Sequence, residues 1–384
     1  MRTIVAMLLA AATLLAGCTT PYRPPQFMEA DAQFPGLIDF TAQAPGGKAD
    51  VLLVHGICTH DATWARNTVD KLATQLAANV APMPGAGQAQ RLAGPAVEIV
   101  PIDVGTPHGT IRFTSLIWSP LTTPLKQQLC YDQTGKSPIC TGAPPFTPVR
   151  PSLNARVKDG LLDDCLPDAL IYQGAARGQI QARMREALLA TAGDTDAAAP
   201  LVVISESLGS KILFDTLLRM MEEPRDSRAA QMAAREMRRA VWLIMAANQI
   251  PLLHLADQPL GEAAGAGDGK NDGKSGDART AMQVPSPDSL QRLLQMRRAP
   301  EPGARAMPRL NLVAFSDPGD VLSYTLPPER YREQGAGVFN VLVSNAPTWF
   351  GLVEDPLRAH QGYLSNPDVG SLIACGRPRS ALCR

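Results

Sequence analysis

The sequence predicts an α/β protein, because continuous apolar runs alternate with segments of helical periodicity along a chain of 384 residues. Such runs suit strands that are buried on both faces of a mainly parallel sheet. Amphipathic patterns at 168–191 and 211–221 predict helices between them. We therefore expect one domain over residues 49–384, with a mostly parallel central sheet flanked by helices. The candidate strands are 49–54, 97–104, 200–205, 239–246, 310–315 and 338–343.

The charge balance excludes one broad class of partner. The chain has 36 basic and 36 acidic side chains, and its basic residues form no stripe. No RNA- or DNA-binding motif is present either. We therefore expect no nucleic-acid partner.

The first residues predict export. A basic start is followed by an apolar run of about 14 residues at 3–16, shorter than the roughly 20 helical residues that span a bilayer. This length is typical of a signal peptide, which we place at residues 1–17. We therefore expect the mature protein in the cell envelope.

The sequence LAGC at 15–18 looks like a bacterial lipobox. The resemblance implies cleavage before Cys18 and a lipid on that cysteine, so we expect a membrane partner through the lipid. A plain secretory signal with a chance cysteine at this position is the alternative. Thr19 follows the cysteine rather than aspartate, which in Gram-negative lipoproteins favours the outer membrane. Residues 18–48 then form a lipidated tether and lead-in segment, with an extended, Pro-rich stretch at 20–27.

The other six cysteines predict disulfides, because an even number in an exported chain favours pairing. Neighbours in sequence make plausible local pairs, and the remaining two would then pair with each other. We expect no metal site, since no C-x-x-C motif occurs. The predicted pairs are Cys130 with Cys140, Cys375 with Cys383, and Cys58 with Cys165.

Two stretches interrupt the alternation of strands and helices. Residues 105–154 are Pro-rich and contain two cysteines, and we interpret them as an insertion that decorates the site as a loop or partial lid. Residues 261–286 contain almost no large apolar side chain, which predicts a disordered surface insertion.

The central motif is S-x-S-x-G at 205–209, directly after one candidate strand and before one candidate helix. A strand–turn–helix context with small neighbours is what a nucleophilic serine at Ser207 requires. Ser205 stands where such motifs usually have glycine, and an ordinary helix-capping serine is the alternative. Upstream, the strand at 51–54 leads into His55-Gly56.

These segments together resemble the α/β-hydrolase superfamily, over about residues 51–363. The resemblance implies that backbone N–H groups of Ile57 and Leu208 stabilise an oxyanion. The superfamily order of serine, acid and histidine selects His360 from the five histidines. Asp320 and Asp317 both follow the strand at 310–315, and we prefer Asp320 as the acid because Asp317 suits a turn cap.

The predicted function is hydrolysis of a carboxylic ester through an acyl-enzyme on Ser207, without a cofactor. Esterase- or lipase-like activity on a small-molecule or lipid ester is the first expectation. Amidase, peptidase or thioesterase activity is the alternative within the enzyme class, because fold does not determine substrate. A lipoprotein that keeps the fold and only binds partners is the alternative from another class.

Overall fold

The computed structural model describes residues 18–76, 90–91, 96–135, 137–146, 148–191, 198–259, 286–297 and 308–383. The predicted signal peptide and the stretch 261–285 lie outside these residues. The strands of the described part are β1 Cys18–Thr19, β2 Gln26–Phe27, β3 Lys48–Val54, β4 Gln90–Arg91, β5 Glu98–Thr106, β6 Gly109–Ile117, β7 Leu201–Glu206, β8 Ala240–Ala246, β9 Asn311–Ser316, β10 Gly337–Leu342 and β11 Thr348–Trp349.

Nine of these strands form a central sheet in the order β2-β10-β9-β8-β7-β3-β6-β5-β4. The six adjacent strands from β10 to β6 are parallel. The pairs β2–β10, β5–β6 and β4–β5 are antiparallel. The sheet is therefore mixed, with a parallel centre and antiparallel ends, and the predicted α/β class is confirmed.

Helices cover both faces of the sheet, because alternate residues of the central strands enter two separate apolar cores. Val203 packs into one core with helices at 177–191, 208–221, 228–239 and 289–297. Val202 packs into the other with helices at 37–43, 62–75 and 367–375. The α-helices of the described part are α1 Leu37–Gln43, α2 Ala62–Gln75, α3 Thr123–Lys126, α4 Ser152–Arg156, α5 Leu166–Gln173, α6 Arg177–Thr191, α7 Leu208–Met221, α8 Arg228–Arg239, α9 Ile250–Leu253, α10 Ser289–Arg297, α11 Pro328–Arg332, α12 Pro356–Gln361 and α13 Pro367–Cys375. A π-helix runs over Val157–Cys165. Among the described residues, no helix combines the length and apolar character needed to cross a membrane.

The candidate catalytic serine lies beyond the carboxyl ends of the central parallel strands. Helix α2 follows β3 on one face, whereas α7 follows β7 on the other. Because the chain leaves these two neighbouring parallel strands toward opposite faces of the sheet, a crevice opens beyond their carboxyl ends. Ser207 lies in this crevice at the end of β7.

The structure corrects the interpretation of residues 105–154. Their first part is not a loop, since β6 lies inside the sheet between β3 and β5. Polar residues alternate with Ile111 and Phe113 in this strand, so it contains no continuous apolar run that would predict a buried strand. One of these polar residues, Arg112, pairs with Asp103 on β5 across the hairpin. The predicted helix at 168–191 is likewise two helices, α5 and α6, with a break at Gly174.

The predicted tether at 20–27 is also corrected. It is docked on the body of the protein, because Gln26–Phe27 pairs with the edge strand β10. All three predicted disulfides are confirmed, namely Cys58–Cys165, Cys130–Cys140 and Cys375–Cys383, and Cys18 is a free, exposed cysteine.

Candidate active site

Ser207 occupies the turn between β7 and α7 in a backbone conformation that L-residues rarely adopt, with φ of 51° and ψ of −127°. Such strain is typical of functional positions that the surrounding structure holds in place. Here the Ser207 N–H donates to the Ala246 carbonyl at 2.8 Å. Gly209 allows the close approach, because a Cβ atom there would lie 2.1 Å from the His55 carbonyl oxygen.

The hydrogen bonds of Ser205 explain why the motif tolerates serine in place of its first glycine. Its side chain is fully buried, and its hydroxyl accepts a hydrogen bond from the Ser210 hydroxyl at 2.9 Å. The Ser205 hydroxyl in turn donates to the Ile244 carbonyl at 3.3 Å. Because both hydrogen-bonding roles are satisfied, this polar group does not disturb the buried turn.

Three of the predicted residues form a continuous hydrogen-bonded chain. The His360 Nε2 atom lies 3.1 Å from the Ser207 hydroxyl, and its Nδ1 atom lies 3.0 and 2.9 Å from the two Asp320 carboxylate oxygens. All three side chains are buried. An N–H on Nδ1 facing the carboxylate leaves Nε2 free to accept the serine proton, as general-base activation of a hydroxyl requires.

Asp317 is not part of the hydrogen-bonded chain that contains His360. Its carboxylate accepts the backbone N–H groups of Gly319 at 2.9 Å and Asn345 at 2.5 Å, so it caps the loop that presents Asp320. Burial raises the pKa of Asp317.

Tyr363 is a residue that the sequence reasoning missed. Its hydroxyl donates to Asp320 at 3.0 Å and accepts the Asp317 N–H at 2.7 Å. The Leu322 N–H also donates to Asp320 at 3.0 Å. These bonds fix the orientation of the carboxylate that faces His360. In the sequence, the feature that could have indicated Tyr363 is its position three residues after that histidine.

The predicted oxyanion donors lie beside Ser207. Leu208 begins α7, so its N–H belongs to the first turn, whose N–H groups have no acceptor within the helix. Ile57 follows Gly56, where a Cβ atom would lie 2.8 Å from the Ser207 Cβ. Only glycine permits this approach of the β3 loop to the serine, and the arrangement can place two N–H groups near a developing oxyanion.

His55 has a structural role in this loop. Its Nε2 atom accepts the Trp118 N–H at 2.9 Å, so the proton lies on Nδ1, which donates to the Gly56 carbonyl at 2.8 Å. Its ring also stacks on Trp118 with centroids 4.8 Å apart. Burial lowers the pKa of His55 well below its ordinary value, so it stays neutral.

A buried ionic cluster, which we call the loop clamp, holds the residues after Ile57. It consists of Lys126, Asp164 and Asp168, and Lys126 Nζ lies 2.9 and 3.1 Å from the two carboxylates. Asp168 accepts the Cys58 N–H at 2.9 Å, and Asp164 accepts the Thr59 N–H at 3.1 Å. The clamp was not predicted, because Lys126 lies 38 and 42 residues before the two carboxylates that it pairs with.

Burial raises the pKa of Asp168 to about 6, although the Lys126 ammonium opposes the shift. The Cys58–Cys165 disulfide joins the same loop to the π-helix covalently. Cys58 itself has a φ of 77°, so this loop needs strong support to keep its conformation.

A pocket of about 220 Å³ borders Ser207 and His360. Its wall is mixed, with polar residues such as His60, Asn67, Lys71 and Glu206 beside the apolar Trp64 and Leu364. Burial lowers the pKa of His60 to about 4, so its ring is neutral at neutral pH.

Glu206, between the two serines of the motif, is a second residue that the sequence reasoning missed. Burial raises its pKa to about 7, against a smaller opposing electrostatic effect of the nearby His360. A carboxyl with such a pKa can change its charge next to His360 near neutral pH. The S-x-S-x-G motif contains this acid, but the motif gives no indication of its burial.

Comparisons with known proteins add no further assignment. No protein-family model matches the chain, and no curated protein matches it in sequence.

Proposed function

We propose that this protein is a serine hydrolase of the α/β-hydrolase type that cleaves carboxylic esters through an acyl-enzyme on Ser207. The observation that carries the proposal is the buried chain from Ser207 through His360 to Asp320. In the proposed mechanism, His360 takes the serine proton, and the Ile57 and Leu208 N–H groups bind the oxyanion. His360 then activates the water that releases the acyl group.

The pocket favours a short or polar ester over a long lipid chain. Its volume of about 220 Å³ is below the range of roughly 300–1,000 Å³ that is typical of drug-sized ligands. Asn67, Thr68 and Lys71 on its wall would solvate polar groups better than alkyl chains. We therefore propose that turnover falls steeply along a series of p-nitrophenyl esters from acetate to palmitate, and matched p-nitroanilides test amidase activity in the same assay.

The experiment that tests the catalytic assignment compares three variants. Ser207→Ala should abolish labelling by a fluorophosphonate probe and ester turnover. Asp320→Asn should lower kcat by about 10⁴-fold because the histidine tautomer is no longer fixed. Asp317→Asn, which changes a carboxylate that binds the Gly319 and Asn345 N–H groups rather than His360, should lose far less. An unlabelled wild-type protein would instead favour the non-catalytic binding lipoprotein, and a larger loss in Asp317→Asn would reverse the choice of acid.

We also propose that Cys18 carries a lipid and anchors the protein to the outer membrane of a Gram-negative bacterium. The LAGC sequence at 15–18 and the exposed, unpaired state of Cys18 support this proposal. Incorporation of labelled palmitate that is lost in Cys18→Ser tests it.

A further inference from the structure

A hairpin at residues 348–353, the apolar hairpin, presents an unusual surface. Trp349, Phe350, Leu352 and Val353 are 53, 57, 85 and 64% exposed, and the segment contains no charged residue. The hairpin is an ordered turn, because the Trp349 N–H donates to the Val353 carbonyl at 2.8 Å. Contiguous exposed apolar side chains of this size are typical of an interaction site.

The apolar hairpin lies directly beside the N-terminal cysteine. Strands β1 and β11 pair in antiparallel fashion, with Cys18 opposite Trp349 and Thr19 opposite Thr348. A lipid on Cys18 would therefore begin next to the exposed indole ring.

The segment after Cys18 leaves no free linker between a lipid and the body of the protein. The Tyr22 N–H donates to the Ser344 hydroxyl at 3.1 Å, and the Met28 N–H donates to the Asn340 carbonyl at 3.0 Å. The pairing of β2 with β10 holds the stretch between them. A lipid on Cys18 would thus hold the surface around the cysteine, rather than a distant tether, against the bilayer.

From these contacts we infer that the apolar hairpin is a docking surface for a phospholipid bilayer, which orients the protein on the membrane. The inference rests on the lipid proposed for Cys18. Tryptophan and phenylalanine side chains favour the membrane–water interface, so an apolar contact beside the lipid would fix the orientation of the attached protein.

The docking surface is connected to the candidate active site. The Thr348 hydroxyl donates to Glu354 at 3.1 Å, and the Glu354 carboxylate packs against Gly319 in the loop that presents Asp320. Asp355 then caps α12, which carries His360. Docking through the hairpin would therefore hold two of the three candidate catalytic residues near the lipid surface.

The inference is tested by tryptophan quenching with the exported wild-type protein, purified from the membrane of a Gram-negative host. The protein is placed in phosphatidylethanolamine–phosphatidylglycerol vesicles that contain phospholipid brominated near the headgroup end of its acyl chains. We expect quenching in the wild type and in Trp64→Phe, and loss of most of the quenching in Trp349→Phe. In Phe350→Ser/Leu352→Ser, Trp349 quenching should fall several-fold while the chain stays vesicle-bound through Cys18.

Mass spectrometry of the N-terminal peptide measures the lipid on Cys18 separately, and neither measurement uses ester hydrolysis. An unmodified Cys18 overturns the inference at its premise. A lipidated Cys18 with unquenched Trp349, or with quenching unaffected by Phe350→Ser/Leu352→Ser, overturns the docking surface alone and would favour a protein partner for the hairpin.

Discussion

Replacing Lys126 by methionine tests whether the loop clamp positions the loop that carries Ile57, the candidate oxyanion donor after β3. The substitution removes the cation between two buried carboxylates but keeps a long, flexible side chain. Lys126 is 1% exposed and donates to the Thr59 hydroxyl at 3.0 Å as well as to Asp164 and Asp168. Without it, both carboxylates would remain buried without a counter-ion.

The expected loss of stability is large. Removing one partner of a buried ion pair costs about 3–5 kcal/mol, because an uncompensated charge remains. The kinetic effect follows from the loop that carries Ile57. Losing an oxyanion donor outright lowers kcat by about 10²–10³-fold. Because Lys126 acts only through the position of this loop, we expect a smaller loss of about 10–100-fold in kcat, with KM changed much less.

The pH dependence of the variant has a defined sign. Burial already raises the pKa of Asp168 to about 6 in the wild-type protein, and removing Lys126 takes away a charge that lowers it. A carboxyl whose pKa in the folded state lies above its unfolded value loses stability as pH rises between the two values. The destabilisation by Lys126→Met should therefore be smaller at pH 5 than at pH 8.

The assay combines urea unfolding at both pH values with turnover of a short p-nitrophenyl ester. Arg183→Met is the matched control, because its ion pair with Glu186 is exposed and should contribute only about 0–1 kcal/mol. Lys126→Met/Asp168→Asn should recover part of the stability, since asparagine still accepts the Cys58 N–H without a charge. A Lys126→Met protein with wild-type stability and wild-type kcat would refute the clamp.

Two further predictions concern the same crevice. Since the pKa of Glu206 is raised from 4.5 to about 7, the wild type should lose ~3 kcal/mol more unfolding free energy than Glu206→Gln as pH rises through that window. Urea titrations of both proteins at pH 4.5 and 8 measure this difference, and parallel profiles would contradict it. Replacing Cys58 and Cys165 by alanine should lower kcat and should lower the unfolding free energy by about 4–5 kcal/mol on the chain-entropy estimate. Replacing Cys375 and Cys383 by alanine should lower the unfolding free energy by about 2.5 kcal/mol and leave kcat within about twofold. Equal kinetic losses in both disulfide variants would contradict the positioning role of the first.

The predicted elements show where local pattern is sufficient. Strands β7, β8 and β9 are buried at every residue, so their apolar runs are unmistakable. Strand β6 alternates partly exposed polar residues with buried Ile111 and Phe113, so it lacks the continuous apolar run that marks the other central strands. Its place in the sheet depends on pairing with β3 and β5, which the sequence does not show. The break between α5 and α6 was not predicted either, because the helical pattern continues on both sides of Gly174, where α5 ends.

By itself, the sequence determined the α/β class and the position of Ser207 after a buried strand, and it predicted plausible cysteine pairs and two candidate acids. These depend on patterns that are local, or on the order of motifs along one chain. The sequence preferred Asp320 over Asp317, but only the tertiary structure places the Asp320 carboxylate against His360 and the Asp317 carboxylate on the Asn345 N–H. The loop clamp and the burial of Glu206 also required the structure, because ionic contacts and desolvation depend on distances between segments that the sequence does not contain.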